Sequence, residues 1–240
     1  MTSTASSVRK ALRTVANPVR AKGTSAFFKC GPGQYGEGDV FIGVDLPTQR
    51  RIAKAHGDVP LSELAVLMAS PIHEDRLTAL IILVGQYKRG DAKHRLACFK
   101  FYLKHLSRVN NWDLVDTSAD RIVGAQLLEG DRRLLNRLAK SKDLWERRVA
   151  IIATFEFIRA GESKDTFRLA LALANDEEDL IHKAVGWMLR EVGKRVDEDV
   201  LRAFLRKHAG ALPRTTLRYA IERFPEKERK VWLLDSRVKR

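Results

Sequence analysis

The sequence predicts an all-α chain, an α-solenoid of about six helical pairs forming one domain over residues 1–240. Three observations carry that expectation. Apolar residues recur at three- and four-residue spacing in segment after segment. No alternating apolar and polar run is long enough to make a convincing strand. The helical segments also repeat with a period of 35 residues.

At the N-terminus, Val8, Leu12 and Val15 share a helical spacing and predict a folded first helix. The stretch from Met1 to Gly23 has no acids and is rich in Ser, Thr, Arg and Lys, a superficial likeness to a transit peptide, but it holds no secretory apolar core. Next comes CGPGQYGEGD, Cys30 to Asp39, within a loop expected over 30–46. This tract follows no strand, so it is neither a dinucleotide nor a P-loop fingerprint. It reads as an ordered connector, with a phosphate contact as the lesser alternative. Helices are then predicted over Glu74–Lys88, Lys93–Arg108, Trp112–Leu128, Leu144–Ala160, Thr166–Ala174 and Leu180–Lys194. Gly90, Gly130, Gly161, Asn175 and Gly210 punctuate their ends.

The repeat is visible in columns. Asp113, Arg148, Lys183 and Arg218 align, and two places on so do Val115, Ala150, Val185 and Ala220. Ile122, Phe157 and Val192 form a third column. A polar residue opens each helix and small or branched apolar residues follow, the mark of HEAT- or armadillo-type solenoids.

Composition narrows the partners. Lys and Arg number 44 against 30 Asp and Glu, a net charge of +14. Such an excess points to a polyanion, nucleic acid first, with simple solubility as the plain alternative. A curved, basic, DNA-binding groove is the expected surface. No apolar run approaches the roughly 20 residues that span a bilayer, so no membrane partner is expected. Two cysteines, Cys30 and Cys98, form no CxxC and no disulfide framework, which fits a cytoplasmic setting. Cys98 lies in an apolar helix and reads as core. The six histidines, at 56, 73, 94, 105, 182 and 208, show no HExxH or paired-ligand spacing. They read as surface or capping residues, and no metal or cofactor is expected.

One column holds an anomaly: Asp116 aligns with Ile151, Gly186 and Ile221. A carboxylate at a packing position is costly unless it is paired or used. A surface Asp bonded to a neighbouring Arg is the plain reading. Its context, NNWDLVD, puts Trp112 four residues before it on the same helix face. An apolar wall beside one negative charge suits stabilisation of positive charge developing on a sugar. A second tryptophan, Trp187, sits in KAVGWMLRE behind Gly186, where a backbone or a ligand would approach closely. A helical Trp is more often core, and that reading stays open beside the functional one.

With the segments AFFKCGPGQYGEGDVFIGVDLPTQRRIAK, NWDLVD, LWERRVAI and HKAVGWMLREVGKR in the same order and spacing, the chain resembles the AlkD-type DNA alkylation-repair glycosylases over nearly its whole length. The resemblance implies a HEAT-like repeat fold around a basic C-shaped groove. It also implies a monofunctional glycosylase that removes N3-alkyladenine and N7-alkylguanine from duplex DNA without enclosing the base. By the same resemblance, Asp116 would be the catalytic carboxylate, and Trp112 and Trp187 would line the cleft against the lesion's deoxyribose. Arg148 would hold backbone phosphate. Lys183 and Arg190, flanking Trp187, are expected DNA contacts. Phe27 stands where the family often has a tyrosine, so the ring is kept and its hydroxyl is not. The partner expected is double-stranded DNA with alkylated bases, bound by a monomer. The rivals are a non-catalytic HEAT-repeat protein binding damaged or branched DNA and, further off, a protein-binding scaffold.

Overall fold

The computed structural model describes residues 3–238. Among them the secondary structure is helical throughout, and the sole extended pairing is an isolated parallel bridge between Val40 and Ile72. No described helix is long and apolar enough to cross a membrane. The chain divides into two compact units, Met1–Ser118 and Ala119–Arg240.

The first unit contains α1 (Ala5–Thr14), α2 (Pro18–Phe27), α3 (Leu46–Ala55), α4 (Leu61–Met68), α5 (His73–Arg89), α6 (Ala92–Lys104) and the opening turns of α7 (Trp112–Ala119). Local chemistry sets the starts. Thr4 and Ser7 form a capping box on α1, while Asn17, Asp45 and Asp91 accept backbone N–H bonds at the heads of α2, α3 and α6. Prolines occupy the first turns of α2 and α3, where a missing N–H costs nothing. The first helix forms as its spacing predicts and buries Val8 and Leu12, but Val15 falls at its C-cap and is exposed.

Helix α5 is the axis of this unit. Its first eight residues, His73 to Leu80, are all buried, against α1, α3, α4 and α6. Four of those eight are charged or titratable, so each needs a partner there. The chain between Phe28 and Leu46 supplies several. The Glu74 carboxylate accepts the backbone amides of Ile42, Gly43 and Val44, at 2.7 to 3.3 Å. Gly43 has φ +79°, and a Cβ there would lie 2.1 Å from the Asn17 carbonyl oxygen, so both conformation and space call for glycine.

The second unit begins with a π turn, Asp120–Gly124, that continues α7 into α8 (Ala125–Leu127). The predicted single helix Trp112–Leu128 is thus interrupted. The buried residues Val115, Ala119, Val123 and Leu127 still fall four apart, which is why the pattern hides the turn. Then follow α9 (Arg133–Ala139), α10 (Leu144–Arg159), α11 (Lys164–Ala172), α12 (Asp179–Arg195), α13 (Glu198–His208), α14 (Arg214–Ala220) and α15 (Glu226–Val238). Helices α10, α12 and α14 begin 35 residues apart, at Leu144, Asp179 and Arg214. The π turn, α10, α12 and α14 pack in series, while α9, α11 and α13 flank them. This is solenoid packing, in which each element buries its apolar face on its neighbours. The columns Ala150, Val185 and Ala220, and Ile122, Phe157 and Val192, are all 2% exposed or less.

Gly186 explains its own conservation of space: a Cβ there would lie 2.5 Å from Tyr219 Cβ and 2.6 Å from the Thr216 carbonyl oxygen. The close approach expected at Gly186 is that of the backbone of α14. Cys98 is buried, as read from its apolar helix. His73 is not a surface or capping residue: it is 1% exposed, whereas His56 and His105 do stand at the C-caps of α3 and α6.

Candidate functional site

In the first unit, the predicted residues Phe27, Trp112 and Asp116 fall at the end of α2 and along α7. Trp112 is half-buried at the first position of α7. Its indole stacks face to face on Phe28, with centroids 4.9 Å apart and planes 4° from parallel. Phe27 meets the same indole edge-on at 6.0 Å and is 67% exposed. Asp116 lies one turn beyond Trp112 and is half-buried. Here α7 presents an indole stacked on Phe28 and a carboxylate, and the end of α2 adds the exposed ring of Phe27.

Behind the indole lies a buried polar cluster that sequence reasoning missed. His73 Nδ1 is 2.9 Å from Asp39 Oδ2, and its Nε2 is 2.8 Å from Asp113 Oδ2. Arg76 Nη2 donates to the other oxygen of Asp39, and Asn111 Nδ2 donates to Asp39 at 3.1 Å. The Asn111 side-chain oxygen accepts the backbone N–H of Trp112 at 2.8 Å. Burial pushes His73 toward the neutral form, but the Asp113 and Asp39 carboxylates outweigh it and raise its pKa to about 9. Burial likewise pushes Asp39 up, yet the His73 bond and the Arg76 charge prevail and hold it below the usual carboxylate range.

In the second unit, Trp187 is half-buried on α12. Its Nε1 donates to Glu191 Oε1 at 3.3 Å, and Glu191 Oε2 accepts from Arg195 Nε at 2.7 Å. Phe155 of α10 packs beside the indole at 5.9 Å. The guanidiniums of Arg159 and Arg195 lie 4.0 and 5.1 Å from the Phe155 ring, within cation–π range. Arg159 also donates to Asp120 in the π turn at 2.7 Å. Burial raises the Asp120 pKa in spite of that arginine. The spacing Trp187, Glu191, Arg195 on one helix face was the readable signal for this group.

The expected DNA-contacting cations are partly engaged within the protein. Arg148 is 5% exposed and its Nη1 donates to the Leu180 carbonyl at 2.5 Å. Lys183 pairs with Asp179 at 2.8 Å, and Arg190 pairs with Glu222. Among the described residues, no group of three or more His, Cys, Asp or Glu side chains is arranged to hold a metal.

A family model described as DNA alkylation repair enzyme matches residues 8–224. A solved structure described as a predicted DNA alkylation repair enzyme from Enterococcus faecalis aligns with a TM-score of 0.67. That alignment covers 88% of this chain and 97% of the other, at 17% identity, a likeness of fold. No curated protein matches the sequence.

Proposed function

The chain belongs to the DNA alkylation repair enzyme family, whose model spans residues 8–224, and from that premise we propose that it is a monofunctional DNA glycosylase excising cationic N3- and N7-alkylated purines from duplex DNA. The observation that carries the reading is the face of α7, where Asp116 stands one turn from an indole stacked on Phe28 and flanked by the exposed ring of Phe27.

The chemistry follows from the substrate. An N7-alkylated purine carries positive charge and leaves readily. The C1′–N bond breaks, its electron pair goes to the base, and the base departs neutral. The sugar is left as an oxocarbenium-like cation. Asp116 stabilises that cation electrostatically and orients a water molecule, whose oxygen bonds to C1′ while its proton passes to the carboxylate and then to solvent. The rings of Phe27 and Trp112 supply an apolar wall for the deoxyribose. The segment Trp112–Ala119 contains no lysine, in keeping with attack by water and not by an amine. Arg148, Lys183 and Arg190 serve the phosphates of the duplex, bound by a monomer in the cytoplasm. The net charge of +14 supports such a partner.

Product analysis tests the reading. Duplex DNA with a single N7-methylguanine should yield free base and an abasic strand that remains intact until treated with alkali. Binding without base release would instead favour a protein that holds damaged DNA and leaves its bonds alone.

A further inference from the structure

The geometry points to His73 as a positioning residue: held as an imidazolium between Asp39 and Asp113, it fixes the Trp112 indole and the first turn of α7, and through them the place of Asp116. The inference rests on the glycosylase reading of that helix.

Both ring nitrogens of His73 face carboxylate oxygens, at 2.9 and 2.8 Å. A carboxylate accepts and does not donate, so both nitrogens must carry hydrogen, and the ring is cationic. It joins three separate pieces of chain: Asp39 from the loop, His73 from α5, and Asp113 from α7. The same ring is one member of an aromatic column. It stacks on Phe41 at 4.5 Å and packs on Phe28 at 5.2 Å, and the Phe28 ring carries Trp112. A second path runs from Asp39 through Asn111 to the backbone N–H of Trp112. The indole is therefore located twice, by its ring and by its backbone, and both paths meet at the Asp39–His73 pair.

Among the described residues, the other ionisable groups around the pair are engaged elsewhere or act on Asp39 alone, as does the Cys30 thiol, which burial and the Asp39 charge push up. From α5 itself, Glu74 is taken by the amides of residues 42–44, and Asp75 by Arg9, Arg13 and Ser70. Arg76 faces Asp39, and Arg108 donates to the carbonyls of Met68 and Ser70. Two cations, His73 and Arg76, thus meet two anions, Asp39 and Asp113. Deprotonation of His73 removes one hydrogen bond to a carboxylate and leaves an excess of negative charge behind the indole. The raised pKa, from an ordinary 6.5 to about 9, fixes the sign. The contribution is complete below the ordinary value and is lost as pH rises through about 9.

The test compares single-turnover release of N7-methylguanine by wild type and His73→Gln at saturating enzyme, from about pH 7 to pH 10. A misplaced wall costs roughly ten- to a hundredfold, so wild type should lead by that factor near pH 7.5, with equal affinity for undamaged duplex. The ratio of the two rates, in which titration of the substrate cancels, should then shrink toward one as pH rises past 9. Circular dichroism and melting at each pH establish that both proteins stay folded. If His73→Gln does not fold, Asp113→Asn decides: it leaves His73 one carboxylate, so the alkaline fall in rate should move to lower pH. A ratio that is flat with pH, or an Asp113→Asn profile that falls where wild type does, overturns the positioning role alone. Absence of base release by wild type at every pH overturns the glycosylase reading, and this inference with it.

Discussion

Trp112 answers to two demands at once. Its face is stacked on Phe28, as a core ring's would be, yet it is half-buried and touches an exposed Phe27. Trp187 is placed similarly, with its N–H on Glu191 and its side against Phe155. Truncating either to alanine should lower base excision far more than affinity for undamaged duplex. Unfolding free energy should drop by less than the roughly 3–5 kcal/mol that a fully buried ring costs. A Trp variant that loses the whole of its stability would mark that ring as core. The pair Trp112 and Asp116 was legible in the sequence because a four-residue spacing on a helix puts two chemistries side by side. His73 was not legible. Its partners lie 34 residues before it and 40 after, and nothing in PIHED signals that this histidine will be 1% exposed. Tertiary pairing across such separations leaves no local trace. The cations expected to meet phosphate were legible only as charges. That Arg148 would be buried against the Leu180 carbonyl depends on how α10 meets α12.

At the scale of elements, the 35-residue period proved readable because, in the second unit, α10, α12 and α14 pack one on the next through the same few positions. Val115, Ala150, Val185 and Ala220 are buried in every copy. Where the Asp116 column passes through α12, it holds Gly186, since the α14 backbone lies too close for a side chain. Gly186→Ala should therefore destabilise, by about 1–3 kcal/mol for a forced repacking of one methyl group. The chemical-denaturation midpoint should fall with an unchanged slope. An alanine variant as stable as wild type would mean that α12 and α14 are free to separate. The π turn at Asp120–Gly124 escaped the pattern because Ala119, Val123 and Leu127 keep a four-residue spacing across it. Gly124 was its faint sign: a Cβ there would lie 2.3 Å from the Ala153 carbonyl oxygen.

For the molecule as a whole, the balance of 44 basic against 30 acidic residues announced a polyanionic partner before any motif was considered. Charge alone does not distinguish DNA from another polyanion; the motifs and the family do that. The division between Ser118 and Ala119 was invisible, because helical patterning runs straight through it in α7. Binding to undamaged duplex should weaken steeply with salt, with a log–log slope of about −0.9 for each phosphate neutralised. Binding insensitive to salt would show that the positive charge serves some other end. The central claim, that Asp116 stabilises the charge left on the sugar, is tested most directly by Asp116→Asn, which keeps the side chain's shape and one oxygen but removes its charge. Single-turnover release of N7-methylguanine at saturating enzyme should fall by up to about 10²–10³, less if the cationic base leaves largely unaided, while melting and affinity for undamaged duplex stay near wild type. Equal rates of release by the two proteins would contradict the catalytic role of Asp116.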